Sequence, residues 1–205
     1  MVKESGKINA FPFFIPLLVL LLVAGCRPKS EEVRENEPGV DSLQSVLTTL
    51  SDSVNLTWQE MMASDAQKLR HIDTLLQRIR STGQHDKLLY ERLAQLRASI
   101  DSRQYSRPED LSSRRIDAYD AATDSLISGV TQLHDRLPSP ERCENCASLK
   151  DRIHETDEAV LPYRLRYDRH AEAYNSFLTH NQAVLQNKGS LKDSLNPKPL
   201  FRLIQ

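Results

Sequence analysis

The stretch Asp41–Gly83, DSLQSVLTTLSDSVNLTWQEMMASDAQKLRHIDTLLQRIRSTG, decides the fold. Leu43, Leu47, Leu50 and Val54 recur at spacings of four, three and four, and Trp58, Met62, Leu69, Ile72, Leu76 and Ile79 continue the stripe. Such spacing lays apolar side chains along one face of an α-helix. Asp41, with Gln44 three residues on, reads as a capping pair that opens it. Asn55 and Thr57 mark a place where it begins late or bends. No proline interrupts the stripe, and Gly83 supplies the stop. At 1.5 Å per residue, this is a rod of about 60 Å.

Toward the C-terminus, a second helix is expected from about Asp86 to Tyr105, with Leu89, Leu93, Leu96 and Ile100 as its seam. Pro108 disfavours helix in the residue before it and suits the first turn of a new one. The third helix is therefore expected from Pro108 to Leu137, on a seam of Ile116, Tyr119, Leu126, Val130, Leu133 and Leu137. Pro138 and Pro140 end it, with Ser139 as N-cap and Pro140 as first residue of a last helix reaching about Leu185. Its seam is Cys146, Leu149, Ile153, Val160, Tyr163, Tyr167, Tyr174 and Leu178. Pro162 falls inside that seam, so a kinked continuous helix is expected, with two helices broken at Leu161 as the alternative. The segment 191–205 carries Pro197 and Pro199; it is expected to be extended and to dock on the bundle through Leu200, Phe201, Leu203 and Ile204.

Four seams joined by short breaks imply antiparallel neighbours. The expected fold is all-α: an elongated antiparallel bundle of about four helices over residues 41–190. The outer helices are longer than the inner ones, so they continue alone as a coiled-coil-like stalk. Strand signals are absent, since no run of alternating β-branched residues is punctuated by hairpin glycines.

Toward the N-terminus the character changes. Residues 1–25 combine Lys3 and Lys7, an apolar run from Ala10 to Leu22, and Val23-Ala24-Gly25 before Cys26. This is the layout of a secretory signal peptide, too short for a spanning helix of about 20 residues. It resembles the lipobox of bacterial lipoproteins, and that resemblance implies cleavage before Cys26 and a lipid on its thiol. Residues 26–40 are then the lipidated Cys26 and a flexible tether, charged, proline-containing and poor in apolar side chains. Arg27 stands where the best-known sorting signal has Asp, which favours the outer membrane, with the domain periplasmic or surface-facing.

Of 27 basic and 28 acidic residues, the signal peptide takes Lys3, Lys7 and Glu4, leaving a net charge of about −2. So even a balance gives no electrostatic reason to bind nucleic acid. No phosphate-cradling glycine loop, nucleophile triad or H-E-x-x-H is present. Cys143-Glu144-Asn145-Cys146 is the one reactive constellation. Its readings are a disulfide, a redox dithiol lacking the usual strand-to-helix setting, or half of a metal site with His134 and His154 nearby in sequence. His71, His85, His170 and His180 form no metal pair. Asp117, Asp120 and Asp124, like Glu155, Asp157 and Glu158, read as solvated helix faces.

Three places resemble the LemA family of helical envelope proteins: Trp58 followed by Asp65-Ala66-Gln67-Lys68-Leu69-Arg70; Arg166-Tyr167-Asp168 with Tyr174-Asn175; and Pro197-Lys198-Pro199-Leu200-Phe201. The family usually has Tyr-Asn where this chain has Tyr167-Asp168, and a membrane helix where it has the lipobox. The resemblance implies long antiparallel helices outside the cytoplasm and an interface at Trp58, Tyr167, Tyr174 and Asn175. It establishes no enzymatic activity. The expected function is a non-enzymatic, lipid-anchored interaction or scaffold protein without catalytic residues, metal or cofactor beyond the lipid, binding a protein partner or itself. The alternative is redox or metal handling through Cys143 and Cys146.

Overall fold

A computed structural model describes residues 39–188 and 195–201. The signal peptide, Cys26, nearly all of the tether, Leu203 and Ile204 lie outside the described residues. Among the described residues five α-helices follow one another: α1 (Val40–Ser81), α2 (Lys87–Ile100), α3 (Ser113–Asp135), α4 (Cys146–Glu158) and α5 (Val160–Lys188). Pro108–Asp110 and Pro140–Arg142 form single 3-10 turns. Helices α4 and α5 make up one long fourth rod, so the described residues form four antiparallel helical rods with no strand.

Helix α1 is unbroken for 42 residues, about 63 Å. Gly39, not Asp41, is its N-cap, and no side chain caps it, so the Asp41–Gln44 capping pair does not form. The backbone N–H groups of Ser42 and Leu43 donate to the Gly39 carbonyl instead. Nor does α1 break at Asn55–Thr57. The Thr57 hydroxyl donates to the Ser53 and Val54 carbonyls, as Thr48, Thr49 and Ser53 do one turn back, so these short polar side chains are satisfied within the helix. At its end Gly83 adopts φ +66°, a left-handed conformation that suits glycine.

The proline-marked boundaries shift inward. Pro108 and Pro140 each start a 3-10 turn rather than an α-helix, and α3 begins at Ser113, with the Ser112 hydroxyl accepting from the Arg115 N–H. The last rod begins at Cys146, after Asn145 takes a left-handed φ of 60°. Helix α2 stops at Ile100, five residues before Tyr105. The last rod is interrupted at Ala159, two residues before the expected break at Leu161. Pro162 has no N–H to donate to the Glu158 carbonyl four residues back, so the helical ladder lapses there and resumes with the Tyr163 N–H on the Ala159 carbonyl.

Side-chain pairs set the register. Along α1, Glu60 meets Arg166, Lys68 meets Asp157 and Arg78 meets Glu144, so the chain climbs α1 as it descends α5 and α4. Asp73–Arg97 sets α2 antiparallel to α1, and Asp86–Arg136 sets α3 antiparallel to α2. Asp120–Arg164 and Asp135–Lys150 do the same for α3 against the last rod. The named contacts of α2, α3 and α4 with α1 lie at or beyond Asp65, while buried Leu43, Leu47 and Val54 face the part of α5 that carries Ala171, Leu178 and Leu185. That stretch is a two-helix extension of the bundle. Among the described residues, no helix is long and apolar enough to cross a membrane.

Candidate functional site

Where the two-helix extension joins the bundle, an aromatic box forms. Trp58 of α1 lies 5.9 Å from Tyr105, 5.4 Å from Tyr167 of α5 and 6.2 Å from Phe201 of the tail, ring centroid to centroid. All four rings are buried. Tyr167 and Phe201 meet edge to face, the arrangement that sets the positive rim of one ring against the negative face of the other. The Trp58 indole N–H donates to the Ser106 carbonyl at 3.3 Å, tying α1 to the turn after α2.

The tail enters this box along α5 and is held mainly by its backbone. Asn175 acts as a fork: its Nδ2 donates to the Lys198 carbonyl at 2.8 Å, and its Oδ1 accepts the Lys198 N–H at 2.6 Å. About two helical turns back, the Tyr167 hydroxyl donates to the Pro199 carbonyl at 3.0 Å and Asp168 Oδ1 accepts the Phe201 N–H at 2.8 Å. Tyr174, Asn175, Tyr167 and Asp168 thus line one seam of α5, because residues seven apart return to the same helix face. The Lys198 ammonium lies 5.8 Å from the Tyr174 ring centroid and 3.7 Å from Glu109.

Beside the box lies a polar network. Arg164 is almost fully buried; its guanidinium makes a two-pronged bond to Asp120 at 2.6 and 2.7 Å, donates to the Tyr105 hydroxyl at 3.1 Å and stacks over the Phe201 ring. Burial disfavours its charge, but Asp120 and Tyr105 outweigh that and hold its pKa above the ordinary arginine value. Asp120 is therefore an ion-pair partner and not part of a solvated face; Asp157 likewise pairs with Lys68 at 3.1 Å. Buried Lys68 also reaches Asp65 at 3.2 Å, and Asp65 accepts from Gln104 and from the Tyr119 hydroxyl. Burial pushes the Tyr105 phenol up to about 12, and raises Tyr119 and Tyr167 further, with the Asp65 carboxylate adding to Tyr119 and Asp168 to Tyr167.

Met61, Asp65, Lys68, Tyr105, Tyr119 and Arg164 are among the residues that line a pocket of about 10 Å3, roughly the room of one water molecule. A substrate does not fit in it. Cys143 and Cys146 lie elsewhere, at the start of α4; they are joined as a disulfide with both residues buried, and Arg78 of α1 donates to the Glu144 carbonyl in the short loop between them. Among the described residues no group of three or more His, Cys, Asp or Glu could hold a metal ion. His154 meets the Thr131 hydroxyl, and His134 meets the Asp135 carboxylate.

The LemA resemblance implied an interface at Trp58, Tyr167, Tyr174 and Asn175, and the structure places these four residues beside the tail. Tyr105, Arg164 and Asp120 were not among its residues, and Asp65 and Lys68 entered only as part of the stretch that carries it. Arg164 and Lys68 read as surface charges by residue type, and only their burial betrays their role. No family model, curated protein or solved structure matches the chain.

Proposed function

We propose that this protein is a lipid-anchored, non-enzymatic helical interaction protein of the bacterial cell envelope, which holds a binding surface at the end of its tether. The observation that carries this reading is the α5 seam, where Asn175, Tyr167 and Asp168 grip an extended segment by its backbone. Main-chain hydrogen bonds flanked by side-chain pockets are how proteins recognise peptides. The ionisable groups of the neighbouring network support it too: Arg164, Asp120, Lys68, Asp65 and Asp157 hold one another in pairs around a cavity too small for a substrate. The anchor rests on the signal sequence and Cys26, and the LemA-like kinship on the residues that carry it, three separate stretches of which meet at this seam.

The test is crosslinking in intact cells with identification of the neighbours, comparing wild type with Cys26→Ala. Wild type should fractionate with membranes and return a recurring protein neighbour, whereas Cys26→Ala should accumulate as an unacylated precursor. A Cys26→Ala chain with unchanged size, membrane association and neighbours would overturn the anchored reading.

The redox or metal-handling alternative rests on Cys143 and Cys146 alone. Their burial and their position at the mouth of α4 favour a staple, for which closing so short a loop supplies about 2 kcal/mol. Cys143→Ser should lower stability by about that amount in urea unfolding and leave the recovered neighbours unchanged. Loss of the cellular phenotype with stability intact would favour the alternative.

A further inference from the structure

The two-helix extension has few partners, and the tail reaches both it and the bundle. Buried Leu43, Leu47 and Val54 of α1 share one apolar seam with buried Ala171, Tyr174, Leu178 and Leu185 of α5, while the named contacts of α2, α3 and α4 with α1 lie at or beyond Asp65. Helices joined by a single seam draw their stability from whatever else packs on them, since short helices alone are marginal in water. The tail supplies that third element. Lys198 touches both sides of the joint: its backbone bonds Asn175 in the extension, and its ammonium pairs with Glu109 in the 3-10 turn between α2 and α3. Phe201 closes the joint, with its ring against Trp58, Tyr105 and Tyr167 and under the Arg164 guanidinium. Leu195 and Leu200 are half-buried against the core.

We propose that the tail is a strap that makes the extension and the bundle open as one unit, and that releasing it lets the extension open while the bundle stays folded. Stability is divided among such local units, each with its own opening free energy. The strap grips the extension through one side chain, because the Asn175 amide makes both hydrogen bonds to the Lys198 backbone. Tyr167 and Asp168 hold it at the joint instead. Removing the Asn175 amide therefore loosens the grip on the extension and leaves the joint's bonds in place. Val40, where α1 begins, lies in the extension, so the strap also sets how firmly the bundle is coupled to the segment before it.

The test is amide hydrogen exchange of the full chain, read peptide by peptide in a mass spectrometer, for wild type and Asn175→Ala. The variant should speed exchange of residues 45–56 and 174–186 by about ten-fold or more and leave residues 66–80 and 116–134 at the wild-type rate. Alanine is a better helix former than asparagine, so faster exchange in α5 does not come from helix propensity. Phe201→Ala cuts the strap at the joint and should act on the extension in the same way. Leu93→Ala, which perturbs the contact of α2 with α3, is the control and should give no selective rise in the extension. Unchanged exchange, a rise confined to residues 195–201, or an equal rise in extension and bundle overturns the proposal. The measurement involves neither the anchor nor a partner, so its failure is separate from a failure of the cellular crosslinking.

Discussion

Arg164 shows how much one side chain decides here. Its sequence neighbours, Leu161, Leu165 and Arg166, are exposed, yet Arg164 itself is 6% exposed because it turns inward to Asp120, Tyr105 and Phe201. A buried guanidinium is costly to desolvate, so its partners offset a penalty as much as they add stability. Removing it leaves Asp120 and the Tyr105 hydroxyl without their cation. Arg164→Ala should therefore destabilise the fold by about 3 kcal/mol in urea unfolding, near the low end for a broken buried pair because Asp120 is partly solvated. Asp120→Asn keeps an acceptor but leaves the buried guanidinium without its counter-ion, and should also destabilise clearly. An Asp120→Asn variant as stable as the wild type would show that the ion pair is not the cause. The same inward turn explains why the sequence pattern passed Arg164 by: helical periodicity marks apolar stripes, and a cation between exposed neighbours carries no such mark.

At the scale of elements, α2 and α3 approach closely at Gly129. A Cβ built on Gly129 would lie 2.3 Å from Leu93 Cδ2, so the absence of a side chain at Gly129 is what lets the two helices meet with Leu93 buried between them. Alanine at this position would gain about 1 kcal/mol of helix propensity, but overpacking costs about 1–3 kcal/mol. Gly129→Ala should thus be neutral to destabilising by up to about 2 kcal/mol. Combining it with Leu93→Ala should recover part of the loss in a double-mutant cycle, and strict additivity of the two would rule out the contact. Element boundaries were less legible than element identities. Pro108, Pro140 and Pro162 are each a real interruption, but whether the chain then makes a 3-10 turn or an α-helix depends on the Ser112 cap, the disulfide loop and the turn at Ala159. Those are short-range hydrogen bonds and a covalent link, which apolar periodicity does not mark.

For the molecule as a whole, the buried tyrosines set a limit at high pH. Tyr105, Tyr119 and Tyr167 have pKa values raised above the ordinary tyrosine value by burial. Above about pH 10 the unfolded chain releases these protons while the folded chain keeps them, so the unfolded state binds fewer protons and stability falls with rising pH. Their contribution is fully present below about pH 10. The urea midpoint should be level from neutral pH to about 9 and fall steeply beyond 10, with the phenolate absorbance of these three tyrosines appearing together with loss of helical signal. Phenolate formation ahead of unfolding would show that they are solvated. Tyr119→Phe should flatten the fall.

The sequence by itself determined that this chain is helical, where its rods turn back and which stripe of each is buried, because helical periodicity, glycine and proline are local properties of the chain. The prolines and apolar residues of the tail pointed to docking on the bundle, and the LemA resemblance grouped Trp58, Tyr167, Tyr174 and Asn175. Only the tertiary structure decided what they are together. Trp58, Tyr105, Tyr167 and Phe201 come from four separated stretches, and the Asn175 fork is a grip only when the Lys198 backbone lies against it. Likewise Asp120 and Asp157 read as solvated helix faces, and only the packed rods show that they pair with buried Arg164 and Lys68. Contacts between residues far apart in the chain have no period in sequence, and the pairing of buried charges follows from which rods meet and in which register.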